Sequence, residues 1–129
     1  MKPLVIMALE SEGQGKLESL GFDVVYCGIG KVNASYTLTR KLISEAEKIS
    51  HVFNFGSAGS PVFKTGTIVE IERFFQRDMD VTGLGFELGQ TPFENDPHII
   101  SFPRYFPQLP SGMCGSGDSF LQTPPPLPL

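Results

Sequence analysis

The sequence has little cysteine, no long apolar run and no basic cluster, and each shortage narrows what the chain can be. Its two cysteines, Cys27 and Cys114, stand in separate segments with no Cys-x-x-Cys or Cys/His spacing. That pattern points to two free thiols in a reducing cytoplasm rather than a disulfide scaffold or a zinc site. The first apolar run, Leu4-Val5-Ile6-Met7-Ala8-Leu9, is too short to span a bilayer and runs straight into Glu10 and Glu12. It also lacks a signal-peptide cleavage pattern, so neither export nor a membrane is expected. A formal net charge of -4, with no basic run, argues against nucleic acid or an acidic membrane surface as partner. What remains is a globular class: 129 residues, 40% hydrophobic and 19% charged, about one domain by length.

The positive signals begin with strands. Residues 2–9 form a continuous rather than alternating apolar run, as expected of a strand covered on both faces. A helix is predicted over 11–20, weakened by Gly13 and Gly15 and stopped by Gly21. A second strand over 22–27 closes in Gly28-Ile29-Gly30. A second helix follows over 31–48, with Val32, Tyr36, Leu38, Leu42, Ile43 and Ala46 available for a core face. The third run, His51-Val52-Phe53-Asn54-Phe55, reads as a buried strand that ends in Gly56-Ser57-Ala58-Gly59. This alternation implies an α/β fold with parallel pairing and right-handed crossovers.

Beyond Gly59 the pattern weakens. Residues 67–71 alternate like a strand, and Arg77, Asp78 and Asp80 break the apolar pattern of 74–84. Pro97, Pro103, Pro107 and Pro110 mark an irregular connection, and a short strand-and-turn pattern resumes over 111–120. The last residues, 122–129, are proline-rich and expected to be extended. Their Pro124-Pro125-Pro126-Leu127-Pro128 run carries a PxxP spacing that an aromatic groove could recognise.

Small residues at a strand's carboxyl end let a ligand approach the backbone, and that is where open α/β sheets bind ligands. Two nucleotide motifs fail at this test. Gly28-Ile29-Gly30-Lys31-Val32 lacks the leading glycine of a phosphate loop, where Val25 stands, and the magnesium-holding hydroxyl, where Val32 stands. The dinucleotide fingerprint meets Asn33 in place of its third glycine. Glu10 and Glu12 lie where a strand enters a helix. They either stabilise the helix start or project into the cavity beside Gly56 and Gly59, where a carboxylate could orient and deprotonate a water. Asp118 is equally open between a turn former and a ligand-facing group.

Taken in order, Ala8-Leu9-Glu10-Ser11-Glu12, Gly28-Ile29-Gly30-Lys31-Val32-Asn33-Ala34, Asn54-Phe55-Gly56-Ser57-Ala58-Gly59, Arg77-Asp78-Met79-Asp80-Val81-Thr82-Gly83-Leu84-Gly85 with Gly89-Gln90-Thr91-Pro92, and Ser116-Gly117-Asp118-Ser119-Phe120 resemble the 5′-methylthioadenosine/S-adenosylhomocysteine nucleosidases of the purine nucleoside phosphorylase-like superfamily. The resemblance covers about residues 3–121. It implies a three-layer αβα domain with a mostly parallel central sheet over 1–121, followed by an unstructured tail over 122–129. It also implies a small-molecule nucleoside as partner, a homodimer, and hydrolysis of an N-glycosidic bond without metal or cofactor. By the same resemblance Glu12 is the carboxylate that activates water. Leu9 and Ile29 are apolar residues near the ribose and its 5′ substituent, and Ser57, Ala58 and Gly59 form the turn against the nucleoside. Val81 and the segment through Pro92 line the 5′ pocket, Phe120 stacks on the purine, and the Leu121 backbone meets its edge.

Phosphorolysis by a relative is the alternative, but phosphate needs cationic donors and no arginine precedes Arg40. Family members continue past the Gly-Asp-Ser-Phe turn into a Met-Glu ribose clamp and a Ser-Asp general acid, neither of which occurs here. The expectation is therefore a fold truncated on its C-terminal side, with a sheet edge and apolar helix faces uncovered and catalysis impaired. A non-catalytic purine-binding fragment is the rival from another class.

Overall fold

The four consecutive apolar residues Leu4, Val5, Ile6 and Met7 are buried, and they form the core of the first half of the chain. In a computed structural model of the chain, which describes residues 1–122, they belong to strand β1 (Lys2–Met7). β1 lies between β2 (Asp23–Tyr26) and β3 (Ile49–Asn54) and pairs in parallel with both, in the order β2-β1-β3. Successive side chains point to opposite faces and all four are buried, so both faces of β1 are covered, which is why its apolar run is continuous. Fully burying a Leu or Met side chain contributes about 1.5–3 kcal/mol, so these residues dominate the local energetics.

The connections are helical. The helix expected over 11–20 is two short ones, α1 (Glu10–Gly13) and α2 (Lys16–Ser19). Gln14 (φ 52°) and Gly15 (φ 71°) both take the left-handed conformation between them, which ends one helix and redirects the chain. Gly13 packs so closely on Met7 that an added Cβ would lie 3.0 Å from its sulfur. α3 (Lys31–Glu45) follows and passes through a single 3-10 turn at Ala46–Lys48 into β3. Lys41 ties α3 to the start of β2 through Asp23 at 3.6 Å, and it pairs within the helix with Glu45 at 3.0 Å.

Two expectations about burial fail here. Val32, Tyr36 and Ile43 of α3 are exposed, with Leu38 and Leu42 half-covered, so the helix buries none of the residues offered for a core face. β3 is likewise not buried: Val52, and Phe55 just beyond it, are exposed, and β3 is an edge strand with a neighbour on one side only among the described residues. Apolar surface on the third strand and its helix is thus uncovered in the chain itself.

Contacts divide the chain into two compact units, residues 1–58 and 59–129. In the second, β4 (Glu70–Gln76) pairs antiparallel with β5 (Ile100–Ser101) and in parallel with β6 (Ser111–Ser116). The strand expected over 67–71 therefore starts later and continues through Phe74 and Phe75, of which Phe75 is buried with Met113. A 3-10 turn covers Thr82–Leu84. The proline-marked connection is irregular apart from β5, as its composition requires. Glu70 holds its far end: its carboxylate accepts the Phe106 and Tyr105 amides at 2.6 and 3.0 Å and the Arg104 Nε–H at 3.0 Å. Residues 123–129, with the PxxP spacing, lie outside the described residues. The architecture of the first unit is α/β, with parallel strands joined by helical connections. No helix among the described residues is long and apolar enough to cross a membrane.

Candidate functional site

Parallel strands bring their carboxyl ends to one edge, and in the first unit that edge collects the turns after β1, β2 and β3. The chain leaves β1 through Ala8 and Leu9. Leu9 caps α1, its carbonyl accepting the Glu12 amide at 3.1 Å. Glu12, third in the helix, reaches back so that its Oε2 accepts the Leu9 N–H at 3.2 Å. This is the acidic half of a capping box, since leucine has no side-chain acceptor to complete it.

The other carboxylate oxygen faces the end of β3. Ser57 donates twice to Glu12 Oε1, from its hydroxyl at 2.7 Å and its backbone N–H at 3.2 Å. Gly56 runs past the same oxygen, where an added Cβ would sit 3.7 Å away. The Ser57 hydroxyl bond is the main reason the Glu12 pKa lies below its ordinary value. Partial burial opposes it, and the Ser57, Leu9 and Ala8 amides add to it. Glu12 is therefore an anion at neutral pH, fixed in direction by groups from two different strand ends. Such a carboxylate is a weak base in the ground state but a well-aimed acceptor for a water. Ser57 and Ala58 are themselves exposed, so the turn offers its face to solvent.

Leu9, Glu12 and Ser57 are thus joined directly. Ile29 stands on the same sheet edge and is exposed. Its turn is anchored by Gly28 N–H to the Ala8 carbonyl at 2.9 Å and by the Asn33 side-chain amide to the Ile29 carbonyl at 2.8 Å. Gly28 (φ 81°) and Gly30 (φ 101°) supply the left-handed backbone this turn needs.

Gly59, Val81, Pro92, Phe120 and Leu121 belong to the second unit. Val81 opens the 3-10 turn, its carbonyl accepting the Leu84 amide at 2.9 Å, and Pro92 is half-buried. Phe120 is 96% exposed and follows the turn after β6, with Leu121 partly exposed beside it. Two residues hold this turn that the sequence analysis named without giving them a role: Arg77, which donates to Ser119, and Asp78, which accepts the Asp118 amide. Their signals were two charges placed where a strand's apolar pattern stops and their place at the head of a family-like motif.

A separate open cleft of about 530 Å³ is lined by Glu10, Ser11, Gln14, Gly15, Glu18 and Tyr26, and of the candidate site residues only Glu10 lines it. There Tyr26 donates to Glu18, which pushes the phenol pKa up to about 12. Among the described residues no group of three or more His, Cys, Asp or Glu is placed to hold a metal ion.

The family model described as Phosphorylase superfamily matches residues 15–124. The 5′-methylthioadenosine/S-adenosylhomocysteine nucleosidase of Marinomonas sp. (strain MWYL1) is 32% identical over 123 residues, covering 85% of this chain and 52% of that protein. Among solved structures, the nucleosidase of the same name from Neisseria meningitidis, in complex with methylthio-immucillin-A, superposes with a TM-score of 0.75 at 26% identity. That match covers 93% of this chain and 66% of the other. The Helicobacter pylori nucleosidase superposes with a TM-score of 0.80 at 22% identity, over 94% of this chain and 66% of that one, a likeness of fold. The chain spans about half the length of the curated relatives it matches.

Proposed function

The chain belongs to the phosphorylase superfamily, and we propose that its site serves hydrolysis of the N-glycosidic bond of a nucleoside of the 5′-methylthioadenosine or S-adenosylhomocysteine type. The observation that carries this is the ionised Glu12 held by Ser57 and Leu9 at the carboxyl edge of a parallel sheet. Cleavage of such a bond passes through an oxocarbenium-like ribosyl group. Water then bonds to the anomeric carbon as the carbon–nitrogen bond breaks, the water's proton passes to Glu12, and the departing purine nitrogen takes a proton from solvent. Glu12 needs little basicity for this, because the water acidifies only as it bonds to the cationic carbon.

In this scheme the Ser57-Ala58-Gly59 turn lies against the nucleoside. Leu9 and Ile29 give apolar surface near the ribose and its 5′ group, Val81 and Pro92 line the 5′ pocket, and Phe120 with the Leu121 backbone receives the purine. Hydrolysis is favoured over phosphorolysis on charge. An anionic Glu12 repels phosphate, and no arginine precedes Arg40 to offset it. We further propose a cytoplasmic homodimer with no nucleic-acid partner. Free Cys27 and Cys114 fit a reducing compartment, the net charge of -4 disfavours nucleic acid, and the uncovered apolar residues of α3 and β3 offer surface for self-association.

The test joins residues 1–121 to the remainder of the Marinomonas relative and measures adenine released from 5′-methylthioadenosine. Release without phosphate, falling on the order of 10²–10⁴-fold in Glu12→Gln, is the expected result. Release that requires phosphate and yields a ribose 1-phosphate ester would assign phosphorolysis instead, and an undiminished Glu12→Gln rate would remove Glu12 from the chemistry.

A further inference from the structure

Arg77 and Asp78 leave β4 together, just where its parallel pairing with β6 ends in the Arg77 N–H to Ser116 carbonyl bond at 3.0 Å. From there both side chains reach the chain that leaves β6. The Arg77 guanidinium donates to the Ser119 hydroxyl at 3.1 Å and to the Ser119 carbonyl, a forked grip on one residue. It packs against Gly117, where an added Cβ would stand 2.8 Å from its central carbon and would push the guanidinium aside. Asp78 Oδ2 accepts the Asp118 N–H at 2.9 Å. Two adjacent side chains thus take up an amide, a carbonyl and a hydroxyl of the segment that carries Phe120.

Phe120 itself is 96% exposed, so packing of its ring does not set its position. Its place is set by the backbone before it, and that backbone is held by Arg77 and Asp78. We infer that Arg77 and Asp78 are positioning residues that fix the 117–119 turn and thereby hold the exposed Phe120 ring in place to receive a flat base. That the ring meets a purine rests on the function proposed above; that the two side chains order the turn does not. A ligand stacking on an unheld ring must supply the ordering itself, which lowers affinity rather than stability.

The sequence contains no tryptophan, so Phe120→Trp places a single indole reporter at this exposed position in the full 129-residue chain. Time-resolved anisotropy of that indole measures local order directly. Adding Arg77→Ala should increase the amplitude of its fast motion while the thermal transition stays nearly unchanged, and Arg77→Lys should restore part of the order. Ser119→Ala, which removes one acceptor at an exposed site, serves if Arg77→Ala does not fold. Adenine quenching of the indole is then expected to weaken about tenfold in Arg77→Ala, the scale of ordering one or two groups. Unchanged local motion in both Arg77→Ala and Ser119→Ala overturns the inference. Local motion that responds in a chain whose indole adenine never quenches upholds the positioning role and refutes the purine reading instead.

Discussion

Replacing Ser57 with alanine removes the shortest bond in the candidate site, Ser57 Oγ to Glu12 Oε1 at 2.7 Å, and leaves the backbone contacts at 3.2 Å from Ser57 and Leu9. Hydrogen bonds to charged groups contribute about 1.5–3 kcal/mol. Ser57 is exposed and water competes for the carboxylate, so about 1 kcal/mol of stability is the expected loss at neutral pH. For a unit of this size that lowers Tm by roughly 4 °C. The sign of the pH dependence follows from the direction of the Glu12 shift. Its folded pKa lies below the ordinary 4.5, chiefly because of Ser57, so the stabilisation is fully present above that value and disappears as pH falls through the folded pKa. The gap between wild type and Ser57→Ala should therefore be widest at pH 7 and narrow below about pH 4.5. Carboxyl-carbon NMR titration of Glu12 reads the same bond without unfolding the protein, and its midpoint should rise in Ser57→Ala. A midpoint that stays put, or a stability gap constant from neutral to acid pH, would refute the bond's role.

Gly89 tests the backbone of the second unit: with φ 88° and an added Cβ 3.2 Å from the His98 carbonyl and 3.3 Å from that of Gln76, Gly89→Ala should cost about 1–3 kcal/mol in denaturant unfolding. Gly85→Ala is its control, since φ 89° there meets open space and only the left-handed strain remains; equal losses would show that crowding at Gly89 is absent. At Glu70, desolvation raises the carboxyl pKa, but the Phe106 and Tyr105 amides and Arg104 together hold it below its ordinary value. Glu70→Gln should thus reduce hydrogen-exchange protection of the Tyr105 and Phe106 amides at neutral pH, with the difference fading as pH falls through the lowered folded pKa. Identical protection factors would show that the carboxylate does not hold this segment.

How much of this was legible in the sequence depends on whether a feature is local. The unbroken run Leu4 to Met7 announced a strand covered on both faces, and the turns at Gly28 and Gly56 marked where the sheet edge lies. Parallel topology sends both strand ends the same way, which put Glu10 or Glu12 near the Gly56-Ser57 turn, and the family resemblance singled out Glu12. The buried reading of β3 failed, whereas the uncovered apolar helix face and sheet edge expected of a truncated fold are seen at α3 and β3. An apolar residue reveals that it could be covered, not that something covers it, and Val32, Ile43 and Val52 are exposed. The break between α1 and α2 turned on Gln14 taking the left-handed conformation beside Gly15, where glycine alone signals only a weakened helix. The hold of Arg77 on Ser119 spans 42 residues and has no periodicity to betray it.

The central proposal is that a nucleoside meets this chain at the carboxyl edge of its first sheet, beside Glu12. Amide chemical shifts of the 129-residue chain, recorded while 5′-methylthioadenosine is added, test it most directly. The account predicts weak saturable shifts concentrated at Leu9, Glu12, Ser57 and Ala58 and at Phe120 and Leu121, with those at Phe120 and Leu121 lost in Phe120→Ala. Shifts confined to the cleft of Glu10, Gln14, Glu18 and Tyr26, or none at millimolar nucleoside, would contradict it.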